Sequence, residues 1–171
     1  MLTRFGPLLL VAIAVAPIHA EELKNRGNDP FFQVSSAIKN CPEPAGPRTT
    51  EAEWIRESHH RTEHGNHCWL EGRCRLPNAF AYDNDIAETA RRRLQWLSRE
   101  MPGWEQSTLW ITVWQRWLFV QGCVKPGFPT AKFMKAMGEV PDVERLIDQT
   151  TARPEVGVPY IRFQPSAGDA R

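Results

Sequence analysis

The sequence lacks the short motifs of several common classes of enzyme. It has no Gly-x-Ser-x-Gly nucleophile elbow, no phosphate-binding loop and no dinucleotide-binding fingerprint. Its few cysteines are better explained as structural residues, which argues against a Cys–His nucleophile. We therefore expect a chain that binds rather than catalyses, and that needs no cofactor.

Net charge is nearly absent as well. The 171 residues carry 21 Lys and Arg against 20 Asp and Glu, and Arg4 is the only charged side chain among the first 20 residues. A chain balanced in this way lacks the basic footprint of a nucleic-acid-binding protein. Bulk charge also would not attract it to acidic lipid head groups. We expect no nucleic-acid partner.

The sequence has one long hydrophobic run, which lies near the N-terminus. Residues 8–16 are apolar, Arg4 precedes them, and Ile18-His19-Ala20 follows with a small last residue. This layout predicts a cleaved secretory signal peptide over residues 1–20. A retained membrane anchor is the alternative, but the run is well short of the roughly 20 residues that span a bilayer. We expect an exported protein of the periplasm.

Cysteine is scarce but even in number, at Cys41, Cys68, Cys74 and Cys123. An even count in an exported protein indicates two disulfides. Cys68 and Cys74 are near enough to close a small loop, which would leave Cys41 to reach Cys123. Pairing Cys41 with Cys68 or with Cys74 is equally open. A zinc site is the other interpretation, although five intervening residues are wide for a zinc-binding cysteine pair.

The first part of the exported chain has little regular patterning. Prolines punctuate residues 21–48, which we expect to be loop. A helix is predicted over residues 51–64, capped by Thr50 with Glu53 reaching back, and its thin apolar face needs a partner surface. Residues 65–82 are predicted to form a second loop.

From residue 85 the patterning becomes clear. Apolar residues at helical spacing predict a helix over residues 85–101. Two alternating runs, joined by Gln115-Arg116, predict a β-hairpin over residues 109–122, although neither turn residue is the Gly or Asn that such turns prefer. A helix over 130–139, a strand over 144–151 and an edge strand over 158–163 follow.

This order of elements resembles the BON domain, a family of bacterial osmotically induced and nodulation proteins. The likeness is carried by Ile86, Ala90 and Leu94 in the first helix, by Ile111-Thr-Val113 and Leu118-Phe-Val120-Gln-Gly122-Cys-Val124 in the hairpin, and by Val140-Pro-Asp-Val143 with Leu146, Ile147 and Asp148 after it. The resemblance implies an α+β fold of αββαβ order, with two helices on one face of a three-stranded mixed sheet.

The resemblance covers residues 83–151. It leaves residues 21–82 as a disulfide-bearing N-terminal extension and residues 152–171 as a C-terminal tail. It also implies a periplasmic or envelope-associated domain that catalyses nothing and binds phospholipid or another envelope component. Similar domains are associated with osmotic stress.

Aromatic residues on one face of the hairpin form the first candidate site. Alternation places Trp110, Trp114, Trp117 and Phe119 opposite the face that meets the helices. Exposed, this set would be a large apolar patch of the kind that marks interaction sites. The interpretation that we favour is that the N-terminal extension covers it, because burial of such area is worth roughly 25 cal/mol per Å².

Two other clusters are weaker candidates. Glu57, His60 and His64 share one side of the first helix, with His67 nearby, and could bind Zn²⁺ or Cu²⁺. Arg91, Arg92 and Arg99 could contact lipid phosphates. For both clusters, the interpretation that we favour over ligand binding is that these residues form the solvent-exposed polar face of a helix.

Three hypotheses follow for function. The first is a non-enzymatic envelope module that binds phospholipid or another envelope component. The second is a protein–protein adaptor of a secretion or envelope assembly, with the cysteine-bearing extension as its specific part. The third is a periplasmic metal binder that uses the histidines.

Overall fold

The computed structural model describes residues 21–165 of the chain; the predicted signal peptide lies outside them. The described residues form a mixed α+β fold. Its strands are β1 (Phe31–Ser36), β2 (Thr108–Trp114), β3 (Trp117–Cys123) and β4 (Arg145–Thr151), and its α-helices are α1 (Glu51–His64), α2 (His67–Leu70), α3 (Asp83–Glu100) and α4 (Thr130–Gly138).

The four strands form one sheet in the order β1-β2-β3-β4. β1 pairs with β2 and β2 with β3 in antiparallel fashion, whereas β4 runs parallel to β3. The expected count of three strands is wrong, because β1 lies within residues expected to be loop. The strand expected over residues 158–163 is reduced to one isolated bridge between Arg162 and Pro44.

The core lies between one face of the sheet and the helices α3 and α4. The hairpin residues that were expected to face the helices (Ile111, Val113, Leu118 and Val120) are completely buried. β1 adds Phe32 and Val34 to the same side. Residues three or four apart on α3, together with Phe133 and Met137 of α4, close this layer.

The tight turn between β2 and β3 is held by a carboxylate from elsewhere in the chain. Gln115 and Arg116 both have positive φ angles, of 52° and 65°, a conformation that usually favours Gly or Asn. Each donates its backbone N–H to the carboxylate of Asp83, at 2.7 Å. Burial raises the pKa of Asp83 to about 6, against the opposing effect of these two hydrogen bonds.

Two disulfides are present, Cys41–Cys123 and Cys68–Cys74. They indicate an oxidising environment, as expected for an exported protein. The first joins the loop after β1 to the end of β3, and the second closes the short loop after α2. Within residues 21–165 no helix has the length and apolar character needed to cross a bilayer.

Candidate functional site

The sheet face opposite α3 and α4 carries the candidate aromatic residues. Because side chains alternate along each strand and the register is known, they form rows across β2, β3 and β4. The rows are Trp114–Trp117–Arg145, Thr112–Phe119–Ile147 and Trp110–Gln121–Gln149. The face is therefore aromatic at the hairpin tip and carries carboxamides at the opposite end.

The extension covers part of this face, as we favoured from the sequence. Trp114 donates its indole N–H to Glu57 of α1 at 2.9 Å. The His60 ring stacks on the same indole at 5.5 Å between centroids, and the Phe80 ring meets it edge-on. Trp110 is buried as well. The other two predicted aromatic residues, Trp117 and Phe119, are half-buried.

A cleft of about 240 Å³ remains where the extension leaves the sheet. Gly46 and Pro47 form its wall on the extension side. Its floor on the sheet side consists of Thr112, Trp114, Phe119, Gln121 and Gln149. We call it the sheet–loop cleft. Every described residue that lines it is uncharged, which gives a neutral site with aromatic and amide groups side by side.

The carboxamides in the cleft are held in fixed orientations by a short chain of hydrogen bonds. The Thr112 hydroxyl donates to Oε1 of Gln121 at 2.9 Å, and Nε2 of Gln121 donates to Oε1 of Gln149 at 2.7 Å. The next group in this chain is Nε2 of Gln149, which has no acceptor among residues 21–165. This row of hydrogen bonds therefore ends on the amide N–H group of Gln149, a residue that lines the cleft.

The wall of the cleft is also fixed. Gly46 has a φ angle of 63°, and a Cβ atom there would lie 3.0 Å from the Phe31 ring, so the position requires glycine. The Arg48 guanidinium stacks on the rings of both Phe31 and Phe163, at 5.0 and 4.2 Å from their centroids. These contacts hold the loop against β1 and the C-terminal segment, so the cleft is preformed.

A second groove of about 510 Å³ continues from the same carboxamides. It shares Gly46, Gln121 and Gln149 with the sheet–loop cleft and extends to Tyr160 and Arg162. Burial raises the pKa of Tyr160 to about 12, and its hydroxyl donates to the carbonyl of Pro42 at 2.7 Å. We call this second space the adjoining groove.

The histidines proposed as metal ligands lie in a row rather than around a common point. His60 and His64 have ring centroids 5.0 Å apart, and His64 and His67 are 5.2 Å apart. Glu57, the fourth residue of that set, is engaged with Trp114 and with Arg61. Within residues 21–165 no group of three or more His, Cys, Asp or Glu is arranged to hold a metal ion.

Two of the three arginines proposed as phosphate contacts have other partners. Arg92 forms an ion pair with Glu88 one turn earlier on α3. The Arg91 guanidinium lies 3.3 Å from the centroid of the Phe32 ring. Arg99 is exposed in the last turn of α3. The structure thus places the three residues along α3 without gathering them into a pocket.

The small disulfide loop presents an apolar tip that the sequence analysis did not single out. Trp69 is 48% exposed and Leu70 is 65% exposed. Cys68 beside them is buried and bonded to Cys74, and Arg116 donates to the Cys74 sulfur at 2.6 Å. The loop therefore holds two large apolar side chains in water on a fixed base.

Sequence reasoning missed the carboxamides of the cleft, although one signal was present. Gln121 lies on the aromatic side of the alternating strand that carries Trp117 and Phe119. Gln149 carries no such signal, because its place beside Gln121 depends on the parallel register of β3 and β4. Comparison of the chain with protein-family models, with curated proteins and with solved structures finds no match.

Proposed function

We propose that the chain is an exported, non-enzymatic module of the bacterial periplasm that binds an envelope component in the sheet–loop cleft. The observation that carries the proposal is the cleft itself, a preformed space in which aromatic rings and oriented carboxamides meet. Binding sites typically combine apolar walls with a few placed polar groups in this way.

The setting in the envelope is supported by two features of the chain. The disulfides indicate an oxidising compartment, and residues 1–20 have the layout of a signal peptide. The BON resemblance of residues 83–151 adds an envelope role by analogy. The order of α3, β2, β3, α4 and β4 is the order that this resemblance implies, while the comparisons with known proteins add nothing to it.

Among envelope components, a phospholipid matches the sheet–loop cleft poorly. Among residues 21–165, no Lys or Arg lines it to offset the charge of a head-group phosphate. Insertion of the aromatic face into a bilayer would also require α1 to leave Trp114. The proposal therefore favours a neutral envelope component over a lipid surface.

Cosedimentation tests the proposal. The oxidised chain without its first 20 residues is incubated with an insoluble bacterial envelope fraction and, separately, with neutral and anionic phospholipid vesicles. We expect the wild type to pellet with the envelope fraction, and a Phe119→Leu, Gln149→Ala variant to stay in the supernatant.

The matched control is Gln33→Ala, which removes an exposed carboxamide in the same row of the sheet but outside the cleft. It should pellet like the wild type. If the cleft variant pellets as well as the wild type, the proposed site is wrong. Pelleting with vesicles alone would instead favour a lipid ligand.

The tip formed by Trp69 and Leu70 favours a second candidate, a protein–protein adaptor. Tryptophan is enriched at the centres of protein interfaces, and a cross-linked loop loses little conformational entropy on binding. Under this hypothesis a Trp69→Ser, Leu70→Ser variant loses a partner that the wild type retains in pull-downs from periplasmic extract. The Phe119→Leu, Gln149→Ala variant should keep that partner.

A further inference from the structure

We infer that the sheet–loop cleft is a glycan site. It binds one pyranose ring against Phe119, and the adjoining groove binds further rings of the same oligosaccharide. The inference rests on the proposed function and narrows it to one class of ligand.

The polar groups match hydroxyls rather than ions. The sheet–loop cleft offers the Nε2 donors of Gln149, together with the amide of Gln121 and the hydroxyl of Thr112. Carboxamides both donate and accept, and a sugar hydroxyl does the same, so each group can be satisfied by a neutral partner. Within the sheet–loop cleft, none of the described lining residues offers a cation to an anion or a carboxylate to a cation. The charged side chains of the site, Arg48, Glu53 and Arg162, line the adjoining groove.

The apolar surface matches the C–H face of a sugar ring. Phe119 and Trp114 present aromatic surface on the floor of the cleft, and Pro47 adds an apolar edge on the wall. A pyranose is itself amphipathic, with C–H groups on its faces and hydroxyls around its rim. An aromatic floor next to fixed carboxamides therefore complements both parts of the ring at once.

The orientation of the carboxamides is set before any ligand arrives. Gln121 is buried, and its amide is held between Thr112 and Gln149. The donor of Gln149 is therefore presented without the entropy cost of ordering a free side chain. That preorganisation distinguishes this site from exposed glutamines elsewhere on the surface, such as Gln33.

The dimensions favour a chain of rings over a single large molecule. The cleft, at about 240 Å³, is smaller than the roughly 300–1,000 Å³ of a drug-sized site. The adjoining groove offers about 510 Å³ more and shares Gln121 and Gln149 with the cleft. A linear oligosaccharide that passes over Gln121 and Gln149 would place sugar rings in both the cleft and the adjoining groove.

Calorimetric titration tests the inference with two soluble probes, a β-1,4-linked tetramer of N-acetylglucosamine and a β-1,4-linked tetramer of glucose. The protein is the oxidised chain without its first 20 residues. We expect saturable binding of at least one tetramer. Phe119→Leu and Gln149→Ala should each raise the Kd about tenfold, as expected for loss of one good contact. Gln33→Ala should leave the Kd within twofold.

The outcomes separate the inference from the proposed function. Binding of the N-acetylglucosamine tetramer alone supports a site that recognises the acetamido groups of the glycan. Binding of both tetramers supports recognition of the pyranose ring itself. If neither tetramer binds, or if both cleft variants bind as tightly as Gln33→Ala, the glycan site is refuted. In that case the proposed function is still supported if the wild type pellets with the envelope fraction and the Phe119→Leu, Gln149→Ala variant does not. It is refuted as well if this variant pellets like the wild type.

Discussion

At the scale of single residues, Asp83 shows how a side chain far away in sequence can determine a local conformation. The sequence predicted the hairpin and its turn at Gln115-Arg116 from alternation alone, and the structure confirms both. It did not explain how two residues with long side chains adopt positive φ angles. The answer is the pair of hydrogen bonds to Asp83, whose sequence context suggests nothing more than the start of a helix.

Asp83 should also make the stability of the protein depend on pH. Burial raises its pKa to about 6, from the 3.8 that is ordinary for an aspartate. A folded pKa above the unfolded value means that the contribution of this group to stability is fully present below pH 4 and is lost as the pH rises through 6. We expect the stability advantage of the wild type over Asp83→Asn to fall by up to about 3 kcal/mol across this window.

Urea unfolding of both proteins at pH 4, 5, 6 and 7 measures this difference, because groups common to both proteins cancel. A stability difference that stays constant from pH 4 to pH 7 would show that Asp83 has an ordinary pKa. Far-UV circular dichroism of the Asp83→Asn variant at each pH serves as the control for an intact fold.

At the scale of elements, α1 was the helix predicted most completely. Its capping box is local, and the structure contains both of its hydrogen bonds, between Thr50 and Glu53. Its packing is unusual, since none of its residues is buried. It reaches the sheet through polar side chains, Glu57 and His60 on Trp114, with Arg61 paired to Asp29.

A helix held by polar contacts should open more easily than the core. We expect the backbone amides of α1 to exchange with solvent deuterium faster than those of α3, whose apolar face is buried between the sheet and α4. Hydrogen exchange with mass spectrometry resolves the two helices. Glu57→Gln should speed exchange in α1 further without changing α3, and equal protection of the two helices would contradict the prediction.

Strands were predicted less well when their partners lay far away. The hairpin strands were found because they are adjacent in sequence. β1 was missed because it lies among residues punctuated by prolines, and because its identity as a strand depends on pairing with β2 at least 72 residues later. The cleft was missed for the same reason, since the parallel register that brings Gln149 beside Gln121 follows from tertiary structure.

At the scale of the whole molecule, the two disulfides have different tasks. Cys41–Cys123 joins residues 82 positions apart and ties the extension to the end of β3. Cys68–Cys74 joins residues six apart and shapes a single loop. The sequence could give their number but could not choose among the pairings, because the choice depends on where β1 places Cys41.

Removing the longer cross-link should cost more stability than removing the shorter one. The chain-entropy model gives about 4.5 kcal/mol for the first loop and about 2 kcal/mol for the second. We expect Cys41→Ser with Cys123→Ser to lower the Tm by more than Cys68→Ser with Cys74→Ser does. Differential scanning calorimetry compares the two double variants directly. The reverse order would contradict the chain-entropy account of these two cross-links.

The hold of Asp83 on the hairpin turn has a consequence for the order of folding. Adopting left-handed conformations costs Gln115 and Arg116 roughly 1–2 kcal/mol each unless something stabilises them. Their stabilising carboxylate lies 32 and 33 residues earlier in the chain. An isolated hairpin with a favourable turn forms within microseconds. The turn of this hairpin gains its stabilising hydrogen bonds only when the first turn of α3 docks beside it. We therefore expect the central hairpin to form together with the docking of α3, rather than before it as a local nucleus.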